Sequence, residues 1–195
     1  MKSISNRQLE IIQATGKILT QSGITGLTIK KLAKEMKFTE SAIYRHFESK
    51  EDILTNMLTY LAVTMDDRLS IVVKETDLPA KQLEALFQNQ ISFFEKNTHF
   101  LVPVFSDGLL EESVEINKCI NTIMQVKSKY IVKIIKAGQD QKVFTNKVNT
   151  DELVHIIMGG FRLLMYKWRL ANFKFDITEK GNNYIKSVLE LILIA

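Results

Sequence analysis

The spacing of apolar residues along the chain predicts an all-α protein. Apolar side chains recur every three to four residues almost throughout, and only two prolines and eight glycines interrupt them. Near the N-terminus, Ser5 and Gln8 fit a capping box, and the apolar repeat that follows stops at Gly23. This pattern predicts a first helix over roughly residues 5–22.

Two short helices are predicted next, separated by a turn. Thr28 is placed to cap the first, whose apolar face carries Ile29, Leu32, Ala33 and Met36. Thr39 is placed to cap the second, residues 40–46, whose apolar side carries Ile43 and then Phe47. Two helices of about eight residues joined by a turn of three to four residues have the geometry of a helix-turn-helix. In that motif the second helix enters the major groove of DNA.

The rest of the chain is predicted to be a larger helical domain. Ser49 and Asp52 form a second capping box at the start of a long helix, which joins the two modules. We therefore predict an N-terminal three-helix DNA-binding domain over 1–50, with its motif at about 28–47, and a regulatory and dimerisation domain over 51–195. Further helices are expected at roughly 80–97, 100–110, 113–138, 151–172 and 178–194.

Composition and charge narrow the class of protein. The chain has 195 residues, of which 46% are hydrophobic and 25% charged, as in an ordinary soluble globular protein. No apolar run approaches the roughly 18 residues of a membrane span, and the N-terminus lacks a signal-peptide core. We therefore expect a cytoplasmic protein that does not contact a membrane.

Positive charge is concentrated at the N-terminal end. Residues 1–50 hold nine basic and four acidic side chains, whereas the other 145 residues hold 17 basic and 18 acidic ones. A basic segment attached to a neutral remainder is typical of a protein that binds a polyanion at one end. This asymmetry supports double-stranded DNA as the partner of the helix-turn-helix.

The segment ITGLTIKKLAKEMKFTESAIYRHFESKEDIL resembles the DNA-binding signature of the TetR/AcrR family of bacterial regulators. The similarity covers about residues 5–60. It includes the pairs Leu32-Ala33, Ile43-Tyr44 and His46-Phe47, and the Ser49-Lys50-Glu51 run that opens the next helix. One departure is Lys37, which occupies a turn position where the family usually has glycine. It must either adopt a positive φ or belong to a differently built turn.

The resemblance implies a set of DNA contacts. Phosphate contacts are expected from Thr28, Lys30, Thr39, Tyr44, His46 and Lys50. Base edges are expected to face Glu40, Ser41 and Ala42. Spacing along the predicted second helix also places Arg45 on its outer face, where it can reach bases or phosphates.

The resemblance also implies a ligand cavity and a dimer interface in the larger domain. A small-molecule effector of unknown identity would contact apolar residues, for which the candidates are Met57, Leu61, Met65, Phe87, Ile91, Phe94, Phe105, Met124, Phe161 and Met165. The last two long helices would pair with those of a second copy in a homodimer, with the candidate contacts Leu153, Ile157, Gly160, Leu164, Trp168, Leu189 and Ile192. Packing within the subunit is the alternative for both sets.

The sequence contains no motif of an enzyme, a metal site or a cofactor site. It has no nucleophile beside a base, no paired carboxylates at catalytic spacing, no HExxH and no phosphate-binding loop. The single cysteine, Cys119, has no Cys or His neighbours for a metal site. We therefore predict a homodimeric, ligand-responsive repressor that leaves its operator when a largely apolar ligand shifts the fourth helix. The alternative is a nucleoid-bound protein of the same fold that regulates a partner, such as a cell-division protein.

Overall fold

A computed structural model describes residues 4–105, 109 and 112–194. These residues form α-helices, a short 3-10 helix at Thr98–Phe100 and connecting turns, with an isolated β-bridge between Phe144 and Leu193, so the predicted all-α class is confirmed. The α-helices are α1 (Asn6–Ser22), α2 (Ile29–Met36), α3 (Glu40–Tyr44), α4 (Lys50–Val72), α5 (Pro79–Lys96), α6 (Leu101–Phe105), α7 (Val114–Asp140), α8 (Thr150–Leu170) and α9 (Ile177–Ile192).

The chain divides into two compact units. Unit 1 comprises Met1–Thr64 and Asn97–Ile123, and unit 2 comprises Met65–Lys96 and Met124–Ala195. Helices α4 and α7 each contribute residues to both units. The helix-turn-helix segment therefore shares a compact unit with residues that follow it by fifty positions or more. The domain boundary expected at residue 50 stays a prediction from the sequence.

Unit 1 is built around a small apolar core at its N-terminal end. Ser5 caps α1 by accepting a hydrogen bond from the Gln8 amide, and the Gln8 side chain accepts one from the Ser5 amide in return. The buried residues of α1, α2 and α3 include Ile11, Leu32 and Ile43, each 0% exposed. Burial of these aliphatic side chains stabilises the short helices, which are too short to be stable alone.

Unit 2 has its core among α5, α8 and α9. Gly181 on α9 allows a close approach to α5, since a Cβ there would lie 2.1 Å from Ile91 Cδ1. The rings of Phe87 on α5 and Phe161 on α8 pack with centroids 5.0 Å apart. Phe144, in the loop after α7, is fully buried and forms an antiparallel bridge with Leu193.

Some predicted helix limits differ from the structure. The second helix of the motif ends at Tyr44 and continues as a turn. The helix expected over 100–110 begins with a 3-10 turn at Thr98–Phe100, and its predicted end at 106–108 and 110–111 lies outside the described residues. Within the described residues, no helix is both long and apolar enough to cross a membrane.

Candidate nucleic-acid interface

Helix α2 is delimited by one cap and one unusual turn. The Thr28 hydroxyl accepts a hydrogen bond from the Lys31 amide at 3.1 Å, which satisfies one free donor of the first turn. The helix ends at Lys37, which has φ 57° and ψ 40°, in the left-handed region. Of the two outcomes that the sequence allowed for Lys37, the structure shows the positive φ. Lysine is less favourable than glycine in this conformation.

Helix α3 is positioned by its cap and by two anchors. The Thr39 hydroxyl accepts from the Ala42 amide at 3.2 Å and shares a 3.0 Å hydrogen bond with the Ser41 hydroxyl. Ile43 is fully buried and Phe47 is 3% exposed, so both side chains hold the helix against the core of unit 1. These anchors leave the opposite face of α3 free.

The free face of α3 carries the residues predicted to contact DNA. Glu40, Ser41 and Arg45 are exposed, and the Tyr44 side chain is 52% exposed although it is a large aromatic residue. Ala42 is half-buried. This face offers a carboxylate, two hydroxyls and a guanidinium, which are groups that recognise base edges and phosphates in DNA.

The remaining predicted DNA contacts lie on neighbouring elements of unit 1. Thr28 and Lys30 are exposed at the start of α2, and Thr39 is exposed at the start of α3. His46 is half-buried, and its backbone carbonyl accepts a hydrogen bond from the Gln8 side chain at 3.3 Å. Every residue predicted to contact DNA is thus at least partly accessible, while its contact with DNA stays a prediction.

Lys50 has an acidic partner that the sequence did not indicate. Its ammonium lies 3.1 Å from Glu112 Oε2, and both side chains are about one-third exposed, 34% and 30%. Glu112 comes just before α7, far from Lys50 in the chain, so no local spacing could reveal the pair. The Glu112 carboxylate therefore pairs with the same Lys50 ammonium that is predicted to contact a DNA phosphate.

A second contact within unit 1 joins α1 to the 3-10 turn. A Cβ on Gly16 would lie 2.8 Å from the His99 carbonyl oxygen, so only glycine permits this approach. That carbonyl also lies 3.4 Å from the Thr20 hydroxyl, which donates to it. Burial, followed by the effect of Lys17, lowers the pKa of His99, which favours the neutral form of the ring. The first helix of the DNA-binding segment is thereby fixed to the residues that lead into α6.

The predicted ligand contacts are mostly core residues. Phe105 is half-buried, whereas Met124 is 48% exposed, which argues against its lining an enclosed apolar pocket. Met57, Leu61 and Phe105 belong to unit 1, and the other seven belong to unit 2. The eight buried residues, each at most 3% exposed, are Met57, Leu61, Met65, Phe87, Ile91, Phe94, Phe161 and Met165.

The buried polar residues described in unit 2 include Gln82, Gln90, Lys127 and Gln139. Lys127 on α7 is 7% exposed and Gln90 on α5 is 0% exposed. A signal for Lys127 was present in the sequence, because it lies between Ile123 and Ile131 on the apolar face of its helix. Gln90 likewise interrupts the apolar face of α5. A lysine or glutamine in such a stripe indicates a buried polar group.

The residues predicted for the dimer interface lie largely in the core of unit 2. Gly160 and Leu164 are half-buried, and a Cβ on Gly160 would lie 2.8 Å from the Tyr184 ring of the same chain. The others are buried by their own chain: Leu153, Ile157, Trp168, Leu189 and Ile192. Helix α8 carries two apolar stripes, and its buried predicted residues lie on the stripe that faces the subunit's own core. Contact of the predicted residues with a second copy stays a prediction.

The second apolar stripe of α8 is exposed. Ile156, Leu163, Tyr166 and Leu170 are between 48% and 66% exposed. Gly159 lies on the same stripe, and a Cβ there would meet nothing within 4 Å. These five residues, which we call the α8 seam, follow the alternating spacing of three and four residues typical of helices that pair along their length.

The described part of the chain contains no group of three or more His, Cys, Asp or Glu side chains able to hold a metal ion. Cys119 is half-buried, and burial raises the pKa of its thiol. A thiol in this environment has little of the thiolate character that reactive cysteines require.

Comparison with known proteins agrees with the fold and the motif. Residues 11–57 match the profile of bacterial regulatory proteins of the tetR family, and residues 55–195 match that of the YsiA-like protein C-terminal region. The chain is 26% identical over 180 residues to the nucleoid occlusion factor SlmA of Aliivibrio fischeri, with 92% of each protein covered.

Two solved structures show the same fold. The FadR regulator of Bacillus subtilis, in complex with stearoyl-CoA, superposes with a TM-score of 0.82 and 19% identity, covering 94% of this chain and 98% of its own. The ketosteroid regulator KstR2 of Mycobacterium tuberculosis gives a TM-score of 0.83 and 18% identity, covering 99% and 98%. Taken with the matched profiles and the exposed face of α3, these likenesses show that the chain belongs to the TetR family of DNA-binding transcriptional regulators.

Proposed function

We propose that this regulator acts as a homodimeric repressor that is released from its operator by a small, largely apolar ligand. The observation that carries the proposal is the arrangement of α3, whose apolar side is buried through Ile43 and Phe47 while its polar side stays exposed. A helix held in this way can enter the major groove without disturbing the core beneath it.

Dimerisation through the α8 seam is the second part of the proposal. An exposed apolar stripe along a helix is unfavourable in water and favours a partner surface. A second copy is the partner that fits, because two recognition helices spaced a turn or more apart bind a palindromic operator far better than one. Gly159 within the seam permits two helix backbones to approach closely.

Release of the protein from its operator would depend on contacts within unit 1. The DNA-binding segment is packed against Asn97–Ile123 through the Gly16 approach to His99 and the Lys50 pair with Glu112. Helices α4 and α7 contribute residues to both units, and we propose that the effect of the ligand on α1 to α3 passes through them. A coupling of about 1–3 kcal/mol would weaken operator binding roughly 5- to 150-fold.

Operator binding by matched variants tests the DNA-binding part. The operator is first selected from random duplexes by the purified protein, and its affinity is then measured over a range of salt concentrations. Tyr44→Ala is expected to weaken binding to all duplexes, and Lys50→Ala to make the salt dependence shallower by about one phosphate contact. Lys136→Ala, which removes an exposed lysine from α7, is the control for loss of charge. Operator affinity that is unchanged in both Tyr44→Ala and Lys50→Ala would contradict the proposed DNA-binding surface.

A nucleoid-bound interaction protein is the second candidate, and the likeness to the nucleoid occlusion factor SlmA over 92% of both chains favours it. Such a protein would occupy sites scattered along the chromosome without changing transcription beside them. Mapping of bound sites in cells, together with transcript levels with and without the gene, separates the two candidates. A site at its own or a neighbouring promoter, with a matching change in transcription, supports the repressor.

A further inference from the structure

Arg7, an exposed residue in the first turn of α1, lies close to both ends of α3. Its neighbour Gln8 donates a hydrogen bond from its side chain to the His46 carbonyl at 3.3 Å, in the turn that follows α3. The guanidinium carbon of Arg7 lies 5.1 Å from the centre of the Phe38 ring, in the turn that precedes α3. The first turn of α1 therefore contacts the chain on both sides of the helix predicted to enter the major groove.

The Arg7 guanidinium keeps most of its hydrogen-bonding capacity for a partner outside the chain. Its Nη1 donates to Glu10 Oε2 at 2.5 Å, in a pair whose two side chains are about half exposed. A guanidinium has five N–H donors, and the described part of the chain provides no second acceptor for those of Arg7. Because an exposed pair of this kind contributes little to folding, the remaining donors are available to an anion from solution.

Phe38 restricts where the Arg7 guanidinium can lie. Its ring is half-buried in the turn between α2 and α3, and a cation within about 6 Å of an aromatic face is attracted to it. The next residue, Thr39, caps α3, is exposed and is predicted to contact a phosphate. The ring therefore holds a positive charge beside the exposed start of α3.

We propose that Arg7 binds a backbone phosphate of the operator and that Phe38 positions it for this contact. The Glu10 pair uses one N–H of Nη1 and leaves the edge formed by Nε and Nη2, whose two parallel N–H groups match two phosphate oxygens. Arg7 belongs to α1 and not to the helix that would enter the groove, so it meets the strand beside the groove and not the base edges. The proposal rests on the proposed function in one respect, since it requires that α3 contacts operator DNA.

Operator affinity of matched variants, measured over a range of salt concentrations, tests the phosphate contact. Arg7→Ala is expected to weaken binding about five- to tenfold at low salt and to reduce the slope of log affinity against log salt by about 0.9, the value for one phosphate. Lys17→Ala removes an exposed cation about 15 Å further along α1 and is expected to bind like the unchanged protein. Equal affinity and slope in these two variants would overturn the proposal.

A double-mutant cycle tests the positioning role of Phe38. Phe38→Leu keeps an apolar side chain in the turn but removes the aromatic face, and it is expected to weaken operator binding about two- to fivefold. The same substitution made in Arg7→Ala should have no further effect, because Phe38 acts through Arg7. Equal losses in both backgrounds would show that Phe38 only supports the turn, and would contradict its positioning role.

Operators with a neutral methylphosphonate at a single position identify the phosphate that Arg7 binds. Neutralising that phosphate is expected to weaken binding by the unchanged protein but not by Arg7→Ala. If Arg7→Ala instead changes the base selected at one operator position, Arg7 contacts a base and the phosphate contact is wrong.

The same measurements separate this proposal from the proposed function. Weak binding by Tyr44→Ala, together with normal affinity and salt dependence in Arg7→Ala, contradicts the Arg7 contact and leaves operator binding in place. If the unchanged protein selects no duplex, operator binding itself is contradicted, and the Arg7 contact with it.

Discussion

The α2–α3 segment and the core of unit 2 both contain polar side chains, but in opposite settings. In the first, the anchors are buried and the polar side chains, such as Tyr44, face water. In the second, Lys127 and Gln90 are themselves buried among aromatic residues. Polar groups on an exposed surface have little effect on folding, whereas buried polar groups lower stability, because they lose their hydrogen bonds to water. The two regions should therefore respond differently to substitution.

The largest expected effect is on stability, from Lys127→Met. Because burial lowers the pKa of Lys127 to about 7, folding at neutral pH removes a proton that the unfolded chain retains. The substitution is expected to raise the free energy of unfolding by on the order of 4 kcal/mol at pH 7. Urea denaturation measures the difference.

The pH dependence of that difference has a defined sign. The penalty is fully present below pH 7 and disappears as pH rises towards the unfolded pKa of lysine, about 10.4. The stability of the unchanged protein should therefore approach that of Lys127→Met between pH 7 and pH 10. A difference that does not vary across this range would contradict the assigned cause.

The second effect concerns the α8 seam. Leu163→Glu places a carboxylate on a side chain that is 53% exposed in the single chain, so the fold of the subunit should be retained. If the seam joins two copies, the charge is expected to dissociate the dimer and to lower operator affinity about 100-fold or more. Light scattering with size-exclusion chromatography measures the mass in solution. Gln88→Glu, an exposed change of equal charge on α5, should remain dimeric.

A smaller effect is expected in unit 1 from Gly16→Ala. The added methyl group would lie 2.8 Å from the His99 carbonyl oxygen, which belongs to the backbone and cannot rotate away. We expect a loss of about 1–3 kcal/mol in stability from this overpacking, offset in part by the better helix propensity of alanine. Gln13→Ala on the exposed side of α1 is the control, and a Gly16→Ala protein as stable as that control would show that the contact is not tight.

The smallest effect should come from Glu112→Gln. The pair with Lys50 is partly exposed, and such pairs contribute at most about 1 kcal/mol. Release of Lys50 is expected to strengthen operator binding roughly two- to fivefold at low salt, since the lysine then meets phosphate without competition. Glu115→Gln, whose partner Lys118 lies on the same exposed helix face, should leave affinity unchanged. Weaker binding by Glu112→Gln would show that the pair positions Lys50 rather than competing for it.

Features that depend on residues close together in the chain could be predicted from the sequence, whereas tertiary contacts could not. The caps at Ser5, Thr28 and Thr39 were predictable, because each depends on residues three positions apart. The helix-turn-helix was predictable for the same reason. The partner of Lys50 was not, since Glu112 is brought to it only by tertiary packing.

The exposed apolar stripe of α8 and the buried polar groups were missed for a different reason. Helix α8 has apolar residues on two sides, and periodicity alone does not show which side faces the subunit's own core. Ile157 is 1% exposed and Ile156 is 62% exposed, although both are isoleucines in adjacent positions. Lys127 could have been found, because a lysine within an otherwise apolar stripe is a visible signal.

The left-handed conformation of Lys37 has a consequence for local opening of the DNA-binding segment. Strain of about 1–2 kcal/mol is stored at this residue, just where the Phe38 amide donates to the Ala33 carbonyl at 2.8 Å to close the turn. Amide hydrogens at the end of α2 should therefore exchange with solvent faster than those of α1. Glycine at this position would slow that exchange and increase heat tolerance, at the loss of one positive charge from the helix-turn-helix segment.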